Sequence, residues 1–307
     1  MTIPIVIDCD PGHDDAIALM LAAASSELEL AAVTTVAGNT RLERTTANAI
    51  RVLDLLGLDV PVASGADRPF VRELVVAEYV HGATGLDGPT LLPPSRDPEA
   101  VHAVPFLAEL LRHADRPVTL VPIGPLTNIA LLLATYPELA DRIERIVLMG
   151  GSMGQGNVTP SAEFNIYVDP EAAHRVFASG LDVTMIGLDV THRALLHNTD
   201  AEQLAKAGRV GRFVADLFGF FAGHEPGSRG LGGAPIHDAV AVAHLIWPDL
   251  VTTERRPVTV DLGETSRGRT IVDRRPATAA DTGVSVAVDI DGERFTRLLV
   301  ERLETLG

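Results

Sequence analysis

The chain opens on "IPIVIDC" (3 to 9), an apolar run too short for a helix and rich in β-branched residues, as a buried strand requires. "DAIALMLAAAS" (15 to 25) changes to a helical pattern and "LELAAVTTVAG" (28 to 38) returns to a strand. "RLERTTANAIRVLDLLG" (41 to 57) spaces its apolar residues as an amphipathic helix does. "PVTLVPI" (117 to 123), "IERIVLMGG" (143 to 151) and "LDVTMIG" (181 to 187) predict three more strands, separated by helical patterns that begin near Leu126 and Pro170. Residues 213 to 235 read as a helix followed by a glycine-rich loop, and "IHDAVAVAHLIWP" (236 to 248) starts another helix. In the tail, "PVTVDL", "RTIVD" and "GVSVAVDI" predict extra strands before a helix from Gly292. The alternation predicts an α/β fold: one large domain over 1 to 307, with a mostly parallel open sheet, a Rossmann-like core, flanking helices and extra C-terminal strands. Such sheets place ligands at the carboxyl ends of their strands, where Asp10, Asn39, Ile123 to Asn128 and Met149 to Gly151 fall.

Composition narrows the partners. With 307 residues, 46% of them hydrophobic, the chain can fill a sizeable core. Its 41 acids outnumber 25 basic residues, and Lys206 is the single lysine, which argues against a phosphate-backbone footprint for nucleic acid. One cysteine, Cys9, permits no intrachain disulfide and reads as an inert buried thiol in a reducing compartment. No Lys or Arg precedes Arg41, and no apolar run reaches the roughly 20 residues of a membrane span, so the expectation is a cytoplasmic protein with no membrane partner.

Against that background, "IDCDPGHDDAIA" (7 to 18) sets Asp8, Asp10, Asp14 and Asp15 around one Pro-Gly turn. Two like charges about 4 Å apart repel by roughly 4 kcal/mol at an effective dielectric near 20, so the folded cluster needs a cation or protons. Acids in the first turn of a helix also complement its dipole, which is the plainer reading of Asp14 and Asp15. An EF-hand starting at Asp8 would need Gly at 13 and Glu at 19, where the chain has His13 and Leu19. His237 and Asp238 open a later helix in "PIHDAVA". Oxygen donors without clustered Cys or His favour a hard cation over zinc.

Seven segments carry a resemblance: "DCDPGHDDA", "HGATGLDG" (81 to 88), "VPIGPLTNIA" (121 to 130), "MGG" (149 to 151), "GN" (156 to 157), "AEFNIYVDPEAA" (162 to 173) and "PIHDA" (235 to 239). Together they resemble the inosine-uridine-preferring nucleoside hydrolases, over residues 3 to about 245. The resemblance implies calcium-dependent hydrolysis of the N-glycosidic bond of ribonucleosides to free base and ribose, in nucleoside salvage or catabolism. It implies metal ligation by Asp10, Asp15, Asp238 and the carbonyl of Ile123. Ribose binding would fall to Asp14, Asn39, Asn157, Glu163, Asn165 and the backbone near Met149, and a homodimer or homotetramer is implied by analogy.

Glu163 and Asn165, read as an extended segment, would point the same way. Asp8 stays structural in this reading, and His13 has no role. Asp10 would take the proton of the attacking water and His237, with its ordinary pKa near 6.5, would protonate the departing base. His81 would close over the site as a second acid or a base-recognition group. Phe218, Phe220, Phe221 and His224 stand where relatives carry tyrosines, which leaves base preference open among inosine, uridine, cytidine or a broad range. Two other readings have less behind them. A haloacid-dehalogenase-like phosphatase built on Asp8 and Asp10 would want a phosphate-binding cation, and Lys206 sits in a polar helix. A non-catalytic nucleoside- or ribose-binding protein would have no use for Asp10 and His237.

Overall fold

Strand β1 (Ile3–Cys9) is buried from Ile5 onward and pairs in parallel with a neighbour on each side, which explains its unbroken apolar run. The computed structural model describes residues 2–225, 232–275 and 283–307. The neighbours are β2 (Leu28–Thr35) and β4 (Val118–Pro122); β3 (Val62–Ser64) flanks β2, while β5 (Ile143–Met149) and β6 (Val183–Ile186) continue beyond β4. Two antiparallel strands, β7 (Leu195–His197) and β8 (Gly233–Pro235), form a separate ribbon. Strand β9 (Val251–Arg256) lies at the far edge of the main sheet, and β10 (Val258–Val260) pairs with β11 (Thr270–Val272) as a second ribbon. Strand β12 (Val284–Ile290) lies between β6 and β9.

The eight-stranded sheet runs β3-β2-β1-β4-β5-β6-β12-β9 and is parallel except for the β12–β9 pair. The chain moves outward one way from β1 to β3 and the other way from β4 to β6, so the topological switch lies between the carboxyl ends of β1 and β4. Asp10 and Ile123 immediately follow those two strands.

Side chains alternate across β1. Ile5, Ile7 and Cys9 enter the core that includes helices α1 (His13–Ala23) and α2 (Leu42–Leu56), whereas Val6 enters the opposite core. After α3 (Glu78–His81), helices α4 (Ala103–His113), α5 (Thr127–Thr135) and α7 (Pro170–Phe177) cover that second face, with the short α6 (Phe164–Val168) preceding α7. Helices α8 (Leu188–Thr191) and α9 (Asn198–Leu204) lead into α10 (Arg209–His224), α11 (His237–Ile246) and α12 (Gly292–Glu304), which complete the first face. Helix α1 is buried from His13 to Ala22 and α11 from His237 to Ala243; the two pack together, as helices apolar all round must.

The sequence pattern did not single out β3, α4 or β9. Of the three expected tail strands, "GVSVAVDI" joins the main sheet as β12, while "PVTVDL" and "RTIVD" make the separate β10–β11 ribbon. The glycine-rich loop expected after α10 falls partly on 226–231, outside the described residues. Among the described residues, no helix is long and apolar enough to cross a membrane.

Candidate active site

Two buried helix N-termini meet at the switch point, and each carries acids in its first turn: Asp14 and Asp15 on α1, Asp238 on α11. Asp15 closes the β1–α1 turn on itself. Its Oδ1 accepts from the Asp10 N–H at 3.1 Å, and its Oδ2 from the Gly12 N–H at 2.9 Å and Asn39 Nδ2 at 3.0 Å. Asp14, Asp15 and Asp238 each bring a carboxylate oxygen within 4.8 Å of the others. Asp10 Oδ2 accepts the Asn39 N–H at 2.6 Å, whereas its Oδ1 is buried with no hydrogen-bond partner.

Glycines make room for the Asp10 carboxylate. A Cβ on Gly38 would lie 2.0 Å from Oδ2, and one on Gly124 would lie 2.5 Å from Oδ1. Burial raises the pKa of all four acids, well above the ordinary value for Asp10, Asp14 and Asp238. Charge on Asp15 adds to the effect at Asp10 and Asp14, and Asp14 with Asp15 adds to it at Asp238.

Above the acids, Asp14, Asn39, His81, Ile123, Met149, Asn157, Glu163, Asn165, His237 and Asp238 line one pocket that opens to solvent. Asp10 and Asp15, 1% and 0% exposed, lie behind that lining. The segment expected to be extended at 163 to 165 is a helix start instead. Glu163 caps α6, with Oε1 accepting the Asn165 N–H at 2.9 Å and Oε2 accepting the Gly151 and Ile166 N–H groups at 2.9 and 3.1 Å. The orphan donors of the helix end select a side-chain acceptor at 163, a pull stronger than the pairing of alternate residues. Burial lifts Glu163 to about 7 despite those donors. Asn165 turns its Nδ2 to the Ile123 and Met149 carbonyls at 2.8 and 3.2 Å, and Asn157 Oδ1 accepts the Phe164 N–H at 3.0 Å.

His237 departs from its ordinary behaviour. It is buried with its ring edge-on to His192 at 5.5 Å, and burial, with His192 second, pushes it down to about 3. The resting ring is therefore neutral. Its Nδ1 meets Thr191 Oγ1 at 2.7 Å, and its Nε2 is buried without a partner. His81, expected to close over the site, belongs to the short helix α3 and is 6% exposed. His13 stacks between His81 and the Phe220 and Phe221 rings, its Nδ1 3.0 Å from His81 Nδ1 and its Nε2 2.8 Å from the Asp87 carbonyl. Phe218 and Phe221 are buried, and Phe221 also lines the pocket.

Asp8 takes no part in this pocket's lining. Its Oδ1 accepts from Thr34 Oγ1 at 2.6 Å and Asn128 Nδ2 at 2.8 Å, and burial raises it to about 7. Cys9 directs its thiol to the Thr34 carbonyl, and burial with the neighbouring acids pushes its pKa up, which leaves it inert.

The sequence matches the family model of the inosine-uridine preferring nucleoside hydrolases over residues 5–297. The chain belongs to that family. It is 52% identical over 307 residues to the pyrimidine-specific ribonucleoside hydrolase RihA of Photobacterium profundum, covering 99% of each chain. Identity to the RihA of an Enterobacter species is 51%, covering 99% of this chain and 98% of the other. Among solved structures, the purine-preferring ribonucleoside hydrolase from Gardnerella vaginalis superposes with a TM-score of 0.93 at 36% identity, covering 99% of this chain and 98% of that one. The plant nucleoside hydrolase PpNRh1 gives 0.91 at 33%, covering 99% of both. The protein is thus a nucleoside hydrolase, an N-glycosyl hydrolase of ribonucleosides.

The donors of this nucleoside hydrolase fit a hard cation. Three carboxylates, of Asp14, Asp15 and Asp238, converge. Asp10 joins that group only through the bond from its N–H to Asp15 and keeps a buried, unpartnered Oδ1, and the Ile123 carbonyl accepts from Asn165 Nδ2. Asp14 belongs to the same cluster and also lines the pocket. Tyr79 and Glu225 also line the pocket and were not singled out from the sequence. Neither lies in a motif, and their membership depends on α3 and the end of α10 folding over the strand ends.

Proposed function

We propose that the protein hydrolyses pyrimidine ribonucleosides, in nucleoside salvage or catabolism, with Ca²⁺ as resident metal. The observation that carries the reading is the stacking, at one switch point, of a buried oxygen-donor cluster beneath a pocket lined by sugar-sized polar groups. Asp10, Asp15, Asp238 and the Ile123 carbonyl are the ligands in this proposal. Bound there, calcium supplies a site for ribose hydroxyls and for a water of lowered pKa.

The chain's own residues do the rest. Asp14, Asn39, Asn157, Glu163, Asn165 and the Met149 backbone orient the ribose, so that the C1′–N bond lies between the acids and His237. Asp10 Oδ1 accepts the proton of the attacking water. His237 Nε2 meets the departing base, which takes up the electron pair of the broken bond. His81 borders the base. The transition state carries positive charge on the ribosyl ring, which the buried carboxylates favour.

A pyrimidine preference follows the relatives at 51 to 52% identity, named pyrimidine-specific, over the 36% identical purine-preferring structure. A panel of uridine, cytidine, inosine, adenosine and guanosine tests it. Uridine and cytidine should exceed the purines in kcat/KM by about 10-fold or more, a discrimination within reach of pocket contacts; a preference for inosine or guanosine overturns it. The same reading holds the chain to be one domain over 1–307, cytoplasmic, and a homodimer or homotetramer, with nucleosides and not nucleic acid or membrane as partner.

A further inference from the structure

Thr191 is 0% exposed and closes the short helix α8 after β6. Its backbone N–H already donates to the Gly187 carbonyl at 3.2 Å. The hydroxyl is a separate matter. A buried O–H must donate somewhere, and among the described residues the contact made by Thr191 Oγ1 is His237 Nδ1 at 2.7 Å. A neutral imidazole carries one proton. If Thr191 donates to Nδ1, that proton sits on Nε2, the nitrogen that is buried, unpartnered and on a residue lining the pocket.

We infer that Thr191 is a positioning residue of the reaction, acting through His237: its hydroxyl fixes the tautomer that points an N–H at the departing base. The inference rests on His237 facing the base, as in the proposed function. When the C1′–N bond breaks, its electron pair passes to the base, whose growing negative charge accepts a hydrogen bond from the Nε2 N–H, and the departing base then takes its proton from solvent. Water supplies hydroxide to C1′ and its own proton to Asp10, while the imidazole stays neutral throughout. Without the hydroxyl, Nδ1 can carry the proton, and Nε2 then faces the base as an acceptor, the wrong polarity for leaving-group departure.

Thr191→Val keeps the shape and removes the hydroxyl, and Thr191→Ser keeps the hydroxyl. On uridine, Thr191→Val should lose about 10- to 100-fold in kcat, the scale of one hydrogen bond to a group that becomes charged. KM should stay within about twofold, since the loss is confined to the transition state. Thr191→Ser should restore kcat to within about threefold. On 4-nitrophenyl riboside, whose leaving group departs as a stable anion, Thr191→Val should match the parent. Nitrogen-15 NMR of the imidazoles should find the His237 proton on Nε2 in the parent and redistributed in Thr191→Val.

The inference is overturned if the parent carries the proton on Nδ1, if Thr191→Val loses equally on both substrates, or if it leaves uridine turnover unchanged. His237→Ala run beside it separates the two levels. A loss confined to uridine in His237→Ala, with none in Thr191→Val, sinks the role of Thr191 alone. Equal losses on both substrates in His237→Ala sink the donor role of His237 itself.

Discussion

Alanine at position 38 would set a methyl group 2.0 Å from Asp10 Oδ2 and 2.9 Å from Asp10 Cγ and Pro125 Cδ. An ordinary C···O contact is about 3.3 Å, so the carboxylate must move by more than about 1 Å. It has no free direction. Gly124 approaches Oδ1 from the other side, where a Cβ would stand 2.5 Å away, and the 2.6 Å bond from the Asn39 N–H holds Oδ2 in place. Gly38 does not have the positive φ that disfavours side chains, so the backbone itself accepts alanine and the carboxylate is what opposes it. A misplacement of this size should cost on the order of 10²-fold in kcat on uridine. The overpacking should cost about 1 to 3 kcal/mol of stability, a melting-point loss of several degrees in a folded protein. Ribose release, read by a reducing-sugar assay on samples matched by thermal melting, makes the measurement. Gly219→Ala is the control: it sits on α10 with open space around its Cβ and should be fully active. If Gly38→Ala folds and turns over uridine within about threefold of the parent, the carboxylate does not need its place and the assignment of Asp10 to the attacking water fails.

Asp8→Asn should retain most activity, because the amide keeps both donors to Oδ1 and sets its NH₂ where Oδ2 has no partner. Asp8 titrates near 7 folded against an ordinary 3.8, so the stability it contributes is fully present below about 4 and lost as pH rises through 7. Asp8→Asn should therefore gain on the parent between pH 4.5 and 7.5 by on the order of 2 to 4 kcal/mol in denaturant titrations, and a constant difference across that range would refute the cause. Glu163→Gln should destabilise by about 1 to 3 kcal/mol, because both carboxylate oxygens accept backbone N–H groups and an amide must turn its NH₂ toward at least one of them. Unchanged chemical denaturation of Glu163→Gln would show that the cap carries no weight.

The parallel core was legible because β1, β4 and β5 bury both faces and leave unbroken apolar runs, and because α1 and α11 are apolar enough to be central. Strand β9 was not, since Thr252 to Arg255 are exposed on an edge and only pairing with β12 makes them a strand. The acids could be read as a group because Asp10, Asp14 and Asp15 share a turn. What brings Asp238 to them is the packing of α11 on α1, which has no local signal. Glu163 was misread for the opposite reason: alternate spacing suggested a strand, although two of its three bonds, from the Asn165 and Ile166 N–H groups, are local capping bonds and only the one from Gly151 comes from elsewhere in the fold. The pKa of His237 depends on burial and on His192, 45 positions away, and so was out of reach of any motif.

The central claim, ribonucleoside cleavage in this pocket with calcium held by Asp10, Asp15 and Asp238, is tested most directly by ribose release from uridine after chelation. Metal-stripped protein should release almost no ribose, and calcium added back should restore turnover in the parent but not in folded Asp238→Ala. Full turnover by the stripped parent, or equal restoration in Asp238→Ala, would contradict the account.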